Sequence, residues 1–183
     1  MDNVYTLYNS SAGIDPDCLA ASPDQAWQCM LAPFAVNYTQ APLFFLQSKF
    51  DHWQLNEEAG VPCAFQQAYT PPWSPAPTCD PADSATIRSY GAEFMAAFNS
   101  AAMVGAGAQR AAFLTSCVLH GIDQSYTSVA PAINFISGFA QWYYYRQVQP
   151  SISPVDFRFI EDEPMPRTDN PLACPPFIFT GSN

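Results

Sequence analysis

Two short apolar runs constrain this chain more than any other feature. Pro42 opens the first, LFFLQSKF at 43–50, and the second, RAAFLTSCVL, covers 110–119. Each has the length and apolar, aromatic character of a buried strand. Between them, DPADSATIRSYGAEFMAAFNSAA reads as a helix. Asp80 can cap it, Pro81 suits the first helical position and Asp83 favours the positive N-terminus. Ile87, Gly91, Phe94, Phe98 and Ala101 fall at helical spacing, and the Gly/Ala stretch 104–108 ends the pattern. A second helix is expected over about 129–147, with Pro131 near its start and Ile133, Ile136, Ala140, Tyr143 and Tyr144 on one side. The order strand, loop, helix, strand, helix is an α/β pattern with parallel strands. Two strands cannot shield both faces of a sheet, so the sheet is expected to need more strands than this chain supplies.

The remaining segments read as connections. Pro16, Pro23, Pro33 and Pro42 punctuate a loop-rich stretch over 14–42. Residues 56–81 form a long Pro-rich excursion, AYTPPWSPAPTCDP at its centre, too long for an ordinary loop. The tail from Pro150 onward reads as irregular.

Composition narrows the function classes. Of 183 residues, 49% are hydrophobic and 15% aromatic, so the chain is built to bury a core. Its net charge of -10, with one lysine (Lys49) and five arginines, repels phosphate backbones and argues against a nucleic-acid partner. No run approaches the roughly 18 apolar residues of a membrane span. The cysteines are Cys18, Cys29, Cys63, Cys79, Cys117 and Cys174, and they form no C-x-x-C pairs, which argues against zinc. An even number with loop-like flanks fits disulfides in an oxidising compartment. Six cysteines allow fifteen connectivities; the sequence-local pairs are Cys18–Cys29 and Cys63–Cys79, leaving Cys117 with Cys174. The glycosylation sequons Asn9-Ser-Ser and Asn37-Tyr-Thr point the same way. MDNVYTLYNSS, by contrast, has neither the basic nor the apolar region of a signal peptide, so Met1 is expected not to be the start of the natural protein.

The first apolar run ends in Asp51 and the second in His120, and His52 is the chain's other histidine. In an open parallel sheet, functional groups gather beyond the carboxyl ends of the strands. An Asp that orients an imidazole, which deprotonates a hydroxyl, is the logic of a Ser-His-Asp site, and acid before histidine is the α/β-hydrolase order. An Asp in this place also serves as a turn residue or helix cap. His52, adjacent to Asp51, is poorly placed to be oriented by it and is expected to face solvent in a structural role. NSSAG at 9–13 offers Ser11 as nucleophile, but a nucleophile elbow needs a buried strand before it and a helix straight after. The lead-in is polar-interrupted and Pro16 is set against a helix, so a glycosylated loop is the competing reading.

Several segments together resemble the C-terminal half of the pectin acetylesterase family, which includes the Notum carboxylesterases. APLFFLQSKFDHWQL is similar to the family's strand-and-acid segment, FLTSCVLHGIDQ to its Asn-Ser-Cys-x-x-His segment, and GFAQWYYYR to its late Asp-Trp-Tyr helix. DPDCLAASPDQAWQCMLAPF resembles its paired-cysteine stretch. The resemblance implies an α/β-hydrolase-type fold and removal of acyl groups from esters, with no metal or organic cofactor. It implies Asp51 as triad acid, His120 as general base and Cys117 as a structural, disulfide-forming cysteine. The family's serine lies in Gly-x-Ser-Ala-Gly-Gly, well upstream of these segments, as should the oxyanion-hole donors. NSSAG lacks the first and last glycines and falls too close to Asp51, and ACPPFIFTGSN keeps only Cys174-Pro of the family's Cys-Pro-rich ending.

The expectation is therefore one partial domain over 1–183, the C-terminal part of a secreted, cell-wall pectin acetylesterase whose serine lies outside this chain. The alternatives are a non-catalytic glycan-binding or interaction protein on the same scaffold, or a Notum-like lipid deacylase. Trp53, Trp142 and Tyr143 to Tyr145 read first as core or rim packing, with Trp53, close behind Asp51, the best placed for a substrate pocket. Glu161-Asp-Glu lacks the spaced oxygen ligands of a Ca²⁺ loop and reads as a solvated turn.

Overall fold

The computed structural model describes residues 2–63, 79–100, 110–120, 128–129, 133–148, 157–161 and 166. Most of the Pro-rich excursion, the Gly/Ala stretch 104–108, Pro131 and Cys174 lie outside them. The two apolar runs form β1 (Leu43–Phe50) and β2 (Arg110–Val118). They pair in parallel, Leu43 opposite Arg110 and Ser48 opposite Thr115. A third strand, β5 (Arg158–Ile160), pairs in parallel with the other side of β2, giving the order β1-β2-β5. The fold is of α/β-hydrolase type. The expectation of two strands and an irregular tail is corrected here. FRFI is too short to show a period, and only its place beside β2 makes it a strand.

Alternation along the strands divides the core. The helix α4 (Pro81–Ser100) covers one face, where Phe98 packs with Ala112 and Leu114, joined by Phe45, Phe94, Met95 and Ile160. The helix α5 (Phe135–Val148) covers the other, where Trp142 packs with Ala111 and Phe157, joined by Phe44, Tyr145 and Phe159. Neighbours in sequence (44/45, 111/112, 159/160) thus face opposite layers, as the period of two requires. Asp80 caps α4, accepting from the Asp83 N–H at 2.8 Å.

Two further expectations are revised. The second helix starts at Phe135, after a small antiparallel pair of β3 (Ser128–Val129) and β4 (Ile133–Asn134). Asn134 caps it, accepting from the Ser137 N–H at 2.9 Å. Its buried side carries Gly138 and Trp142, while Ile136, Phe139, Tyr143 and Tyr144 are exposed, the reverse of the expected stripe. FISGFAQWYYYRQV is apolar almost all round, so periodicity could not choose a face. The loop-rich stretch over 14–42 instead carries short helical turns, α2 (Pro16–Ala21), 3₁₀ turns over Pro23–Met30 and α3 (Ala32–Ala35), preceded by α1 (Asp2–Leu7) and a 3₁₀ turn at Ser10–Gly13. Pro16, Pro23 and Pro33 sit in first turns, where a missing N–H costs nothing.

Disulfides join Cys18 to Cys29 and Cys63 to Cys79, the sequence-local pairs. Cys117 is also disulfide-bonded, and Cys174, its expected partner, lies outside the described residues. Cys63 and Cys79 pack against a third cluster, Phe50, Leu55, Val61, Ile87 and Val118, beneath the carboxyl ends of β1 and β2.

Gly91 explains how closely α4 approaches that cluster. A Cβ there would lie 2.6 Å from Phe50 Cε1, and the Phe50 ring is buried. Gly91→Ala should therefore destabilise the protein by about 1–3 kcal/mol through overpacking, outweighing the roughly 1 kcal/mol that Ala gains in helix propensity. Urea unfolding checks this, and an unchanged or raised midpoint would show that the Phe50 ring yields at little cost.

Candidate active site

Parallel pairing brings the ends of β1 and β2 to one edge of the sheet. The register shifts near that edge: Ser48 faces Thr115, but Phe50 faces Val118. β1 advances two residues while β2 advances three, so β2 carries a bulge at Ser116 and Cys117. Pairing resumes with the Leu119 N–H donating to the Phe50 carbonyl at 3.3 Å. Asp51 and His120 then leave their strands side by side.

The chain turns into a helical segment directly at Asp51. The Asp51 carboxylate caps that turn, Oδ1 accepting from the Trp53 N–H at 2.9 Å and the Gln54 N–H at 3.1 Å. The turn widens over Gln54–Glu58, where the Ala59 N–H reaches the Gln54 carbonyl five residues back. The same carboxylate meets His120: Nδ1 lies 3.0 Å from Oδ1 and 3.0 Å from Oδ2. An ionised carboxylate only accepts, so the contact calls for a proton on Nδ1, and in the neutral ring Nε2 is then the acceptor. The Asp51 side chain is 5% exposed and the His120 side chain 56%. A buried acid thus holds an imidazole that presents itself to solvent.

His52 is 5% exposed, which corrects the expectation that it faces solvent. Residues 52 and 55 share the inner side of the turn, and Leu55 is fully buried. The His52 ring stands edge-on to His120 with centroids 5.8 Å apart. Burial pushes its pKa below the ordinary 6.5 and His120 pushes the same way, against the attraction of Asp51. Trp53 is 48% exposed, its ring centroid 5.9 Å from that of His120. Tyr90 of α4 donates its hydroxyl to the Gln54 side chain. Burial pushes the Tyr90 pKa up to about 12, helped by the charges of Asp51 and Glu58, so it remains a neutral donor.

Sequence reasoning missed the polar residues behind the site: Ser48, Thr115 and Glu161 are all buried. Glu161 is therefore no solvated turn, and it accepts from the Ser116 N–H and the Thr115 hydroxyl. The available signal was a Ser inside LFFLQSKF and Thr-Ser inside FLTSCV, polar groups within buried strands. Ser11 lies in a 3₁₀ turn preceded by α1 rather than by a strand, and its hydroxyl faces Asn9 Oδ1 at 3.4 Å. Pro16 opens α2 instead of opposing it, yet the strand an elbow needs is not in front of Ser11. Asn9 and Asn37 are both exposed.

A model of the pectinacetylesterase family matches residues 1–166. The chain belongs to that family. Its reaction class is accordingly carboxylic ester hydrolysis of the pectinacetylesterase kind. No curated protein matches the chain significantly. The disulfides and the pectinacetylesterase family together fit an extracellular protein. Among the described residues, no helix is long and apolar enough to cross a membrane, and no cluster of three His, Cys, Asp or Glu is disposed to hold a metal ion.

The buried His52 makes stability pH-dependent. Its folded pKa lies below 6.5, so on acidification the unfolded chain takes up the proton first. Its contribution is intact above about pH 6.5 and falls away as pH drops towards the folded pKa. Thermal unfolding between about pH 7.5 and 5 should show a steeper loss for the wild type than for His52→Gln. Equal slopes would mean that His52 is protonated as readily in the fold as out of it.

Proposed function

We propose that this chain contributes the acid and the base of a Ser-His-Asp site that removes acetyl groups from a pectin-like, acetylated cell-wall polysaccharide. The observation that carries the reading is the 3.0 Å contact of His120 Nδ1 with the buried Asp51 carboxylate, which leaves Nε2 available on an exposed ring. His120 takes the proton from a serine hydroxyl as that oxygen attacks the acetyl carbonyl, and then gives it to the leaving sugar oxygen as the ester C–O bond breaks. Asp51 fixes the tautomer and stabilises the imidazolium. Water, deprotonated by His120, releases acetate from the acyl-enzyme. Trp53 flanks the base and lines the approach to it. The serine and the oxyanion-hole donors come from outside these 183 residues, which form the C-terminal part of the hydrolase domain. The mature protein is secreted to the cell wall and glycosylated at Asn9 and Asn37.

The exposed aromatics of α5 favour one competing reading, a glycan-binding protein on the same scaffold. It expects saturable binding of pectin fragments that His120→Ala leaves untouched, without acetate release from any longer form of the chain.

The test is acetate release from acetylated pectin. The 183-residue chain alone should release none. The longer natural reading frame, containing a Gly-x-Ser-x-Gly strand–turn–helix, should be active. In it, Asp51→Asn should lower kcat about 10⁴-fold and His120→Ala at least as much. Activity of the 183-residue chain that Ser11→Ala abolishes would overturn the assignment.

A further inference from the structure

We infer that Glu161 is a positioning residue for His120, acting through the bulge in β2; this rests on His120 being the base. One extra residue in β2 reverses the alternation of side chains beyond it relative to β1. The bulge therefore decides the side on which His120 leaves the strand, and so whether its ring meets Asp51.

A bulge in a buried strand takes backbone groups out of the ladder, and these need other partners. Here side chains from β1, β2 and the residue directly after β5 supply them. The Ser116 N–H donates to Glu161 Oε2 at 2.5 Å. The Thr115 hydroxyl donates to the same oxygen at 3.2 Å and accepts from the Cys117 N–H at 3.2 Å. The Ser48 hydroxyl donates to the Cys117 carbonyl and accepts from the Phe50 N–H at 2.9 Å. Glu161 is itself anchored twice, its N–H donating to the Leu114 carbonyl at 3.0 Å and its carbonyl accepting from Lys49 Nζ. Ser48, Lys49, Thr115, Ser116 and Glu161 are all at most 4% exposed.

Regular pairing would satisfy these backbone groups with no side chain at all. A buried carboxylate is a costly substitute for a strand carbonyl. The fold carries that cost at the bulge, three residues before His120 along the relay Glu161, Thr115, Cys117. Glu161 holds the backbone and side chain of β2 at Ser116 and Thr115. Its effect is geometric: it holds β2 in the register that delivers His120 Nδ1 to Asp51.

The test follows the His120 ring by ¹⁵N-resolved NMR in the full chain, reading its tautomer and the low-field Nδ1–H proton held by Asp51. Glu161→Gln keeps an acceptor oxygen and should retain the wild-type signature. Glu161→Ala and Thr115→Val should mix the tautomers and speed exchange of the Nδ1–H about tenfold or more. Phe98→Leu, in the core under α4, should lower Tm while leaving the signature intact, which separates positioning from general destabilisation. Where Glu161→Ala does not fold, Thr115→Val, close in volume, decides. A His120 signature unchanged in the folded variants overturns the inference and leaves the acid–base pair standing. A wild-type spectrum without an Asp51-bound Nδ1–H overturns the pair itself, and the inference with it.

Discussion

The parallel pairing of β1 with β2 is the interaction on which the rest depends. Antiparallel strands would put the residues after Phe50 and after Val118 at opposite ends of the sheet. Parallel strands put both at one edge, so residues 69 positions apart in sequence become hydrogen-bonded neighbours. The long connection that parallel pairing demands is supplied by α4, which lies across the strands it joins. Gly91 lets it approach close enough to seal Phe50, directly before Asp51.

At that edge Asp51 does two jobs that sequence reasoning set against each other. It is a helix cap, and it is the partner of an imidazole. The two are compatible because a carboxylate has several acceptor sites. Two backbone donors fix its orientation, and the fixed carboxylate then presents both oxygens to His120. The cap is what makes the acid rigid. Burial disfavours a charge on the adjacent His52, against the attraction of the same carboxylate. Asp51 hydrogen-bonds the exposed imidazole of His120.

Much of this was legible in the residues. β1, β2 and α4 carry a period, a length or a capping pattern of their own, and the sequence-local cysteines pair as their spacing suggested. The Asp51 and His120 placement followed from where the apolar runs stop. What stayed hidden depends on tertiary context. Three residues of β5 have no detectable period. α5 is apolar on every side, so its buried face is chosen by Phe44 and Ala111 beneath it rather than by its own pattern. The prolines of the N-terminal region mark loops and first helical turns alike. Glu161 reads as a surface acid beside Asp162 and Glu163, and only the bulge in β2 gives it backbone donors to accept from.

The contact of Asp51 with His120 is formed by this chain alone, and this has a physical consequence. Its geometry is set by backbone amides, a strand register and a bulge, all within the described residues. None of these waits on a substrate or a serine. The His120 ring is held from the Nδ1 side and bordered by His52 and Trp53. Under the proposed function, a hydroxyl would approach from the Nε2 side. A serine there would meet an imidazole already oriented by Asp51. The cost of ordering that ring would then be met in folding and would not fall on the proposed reaction.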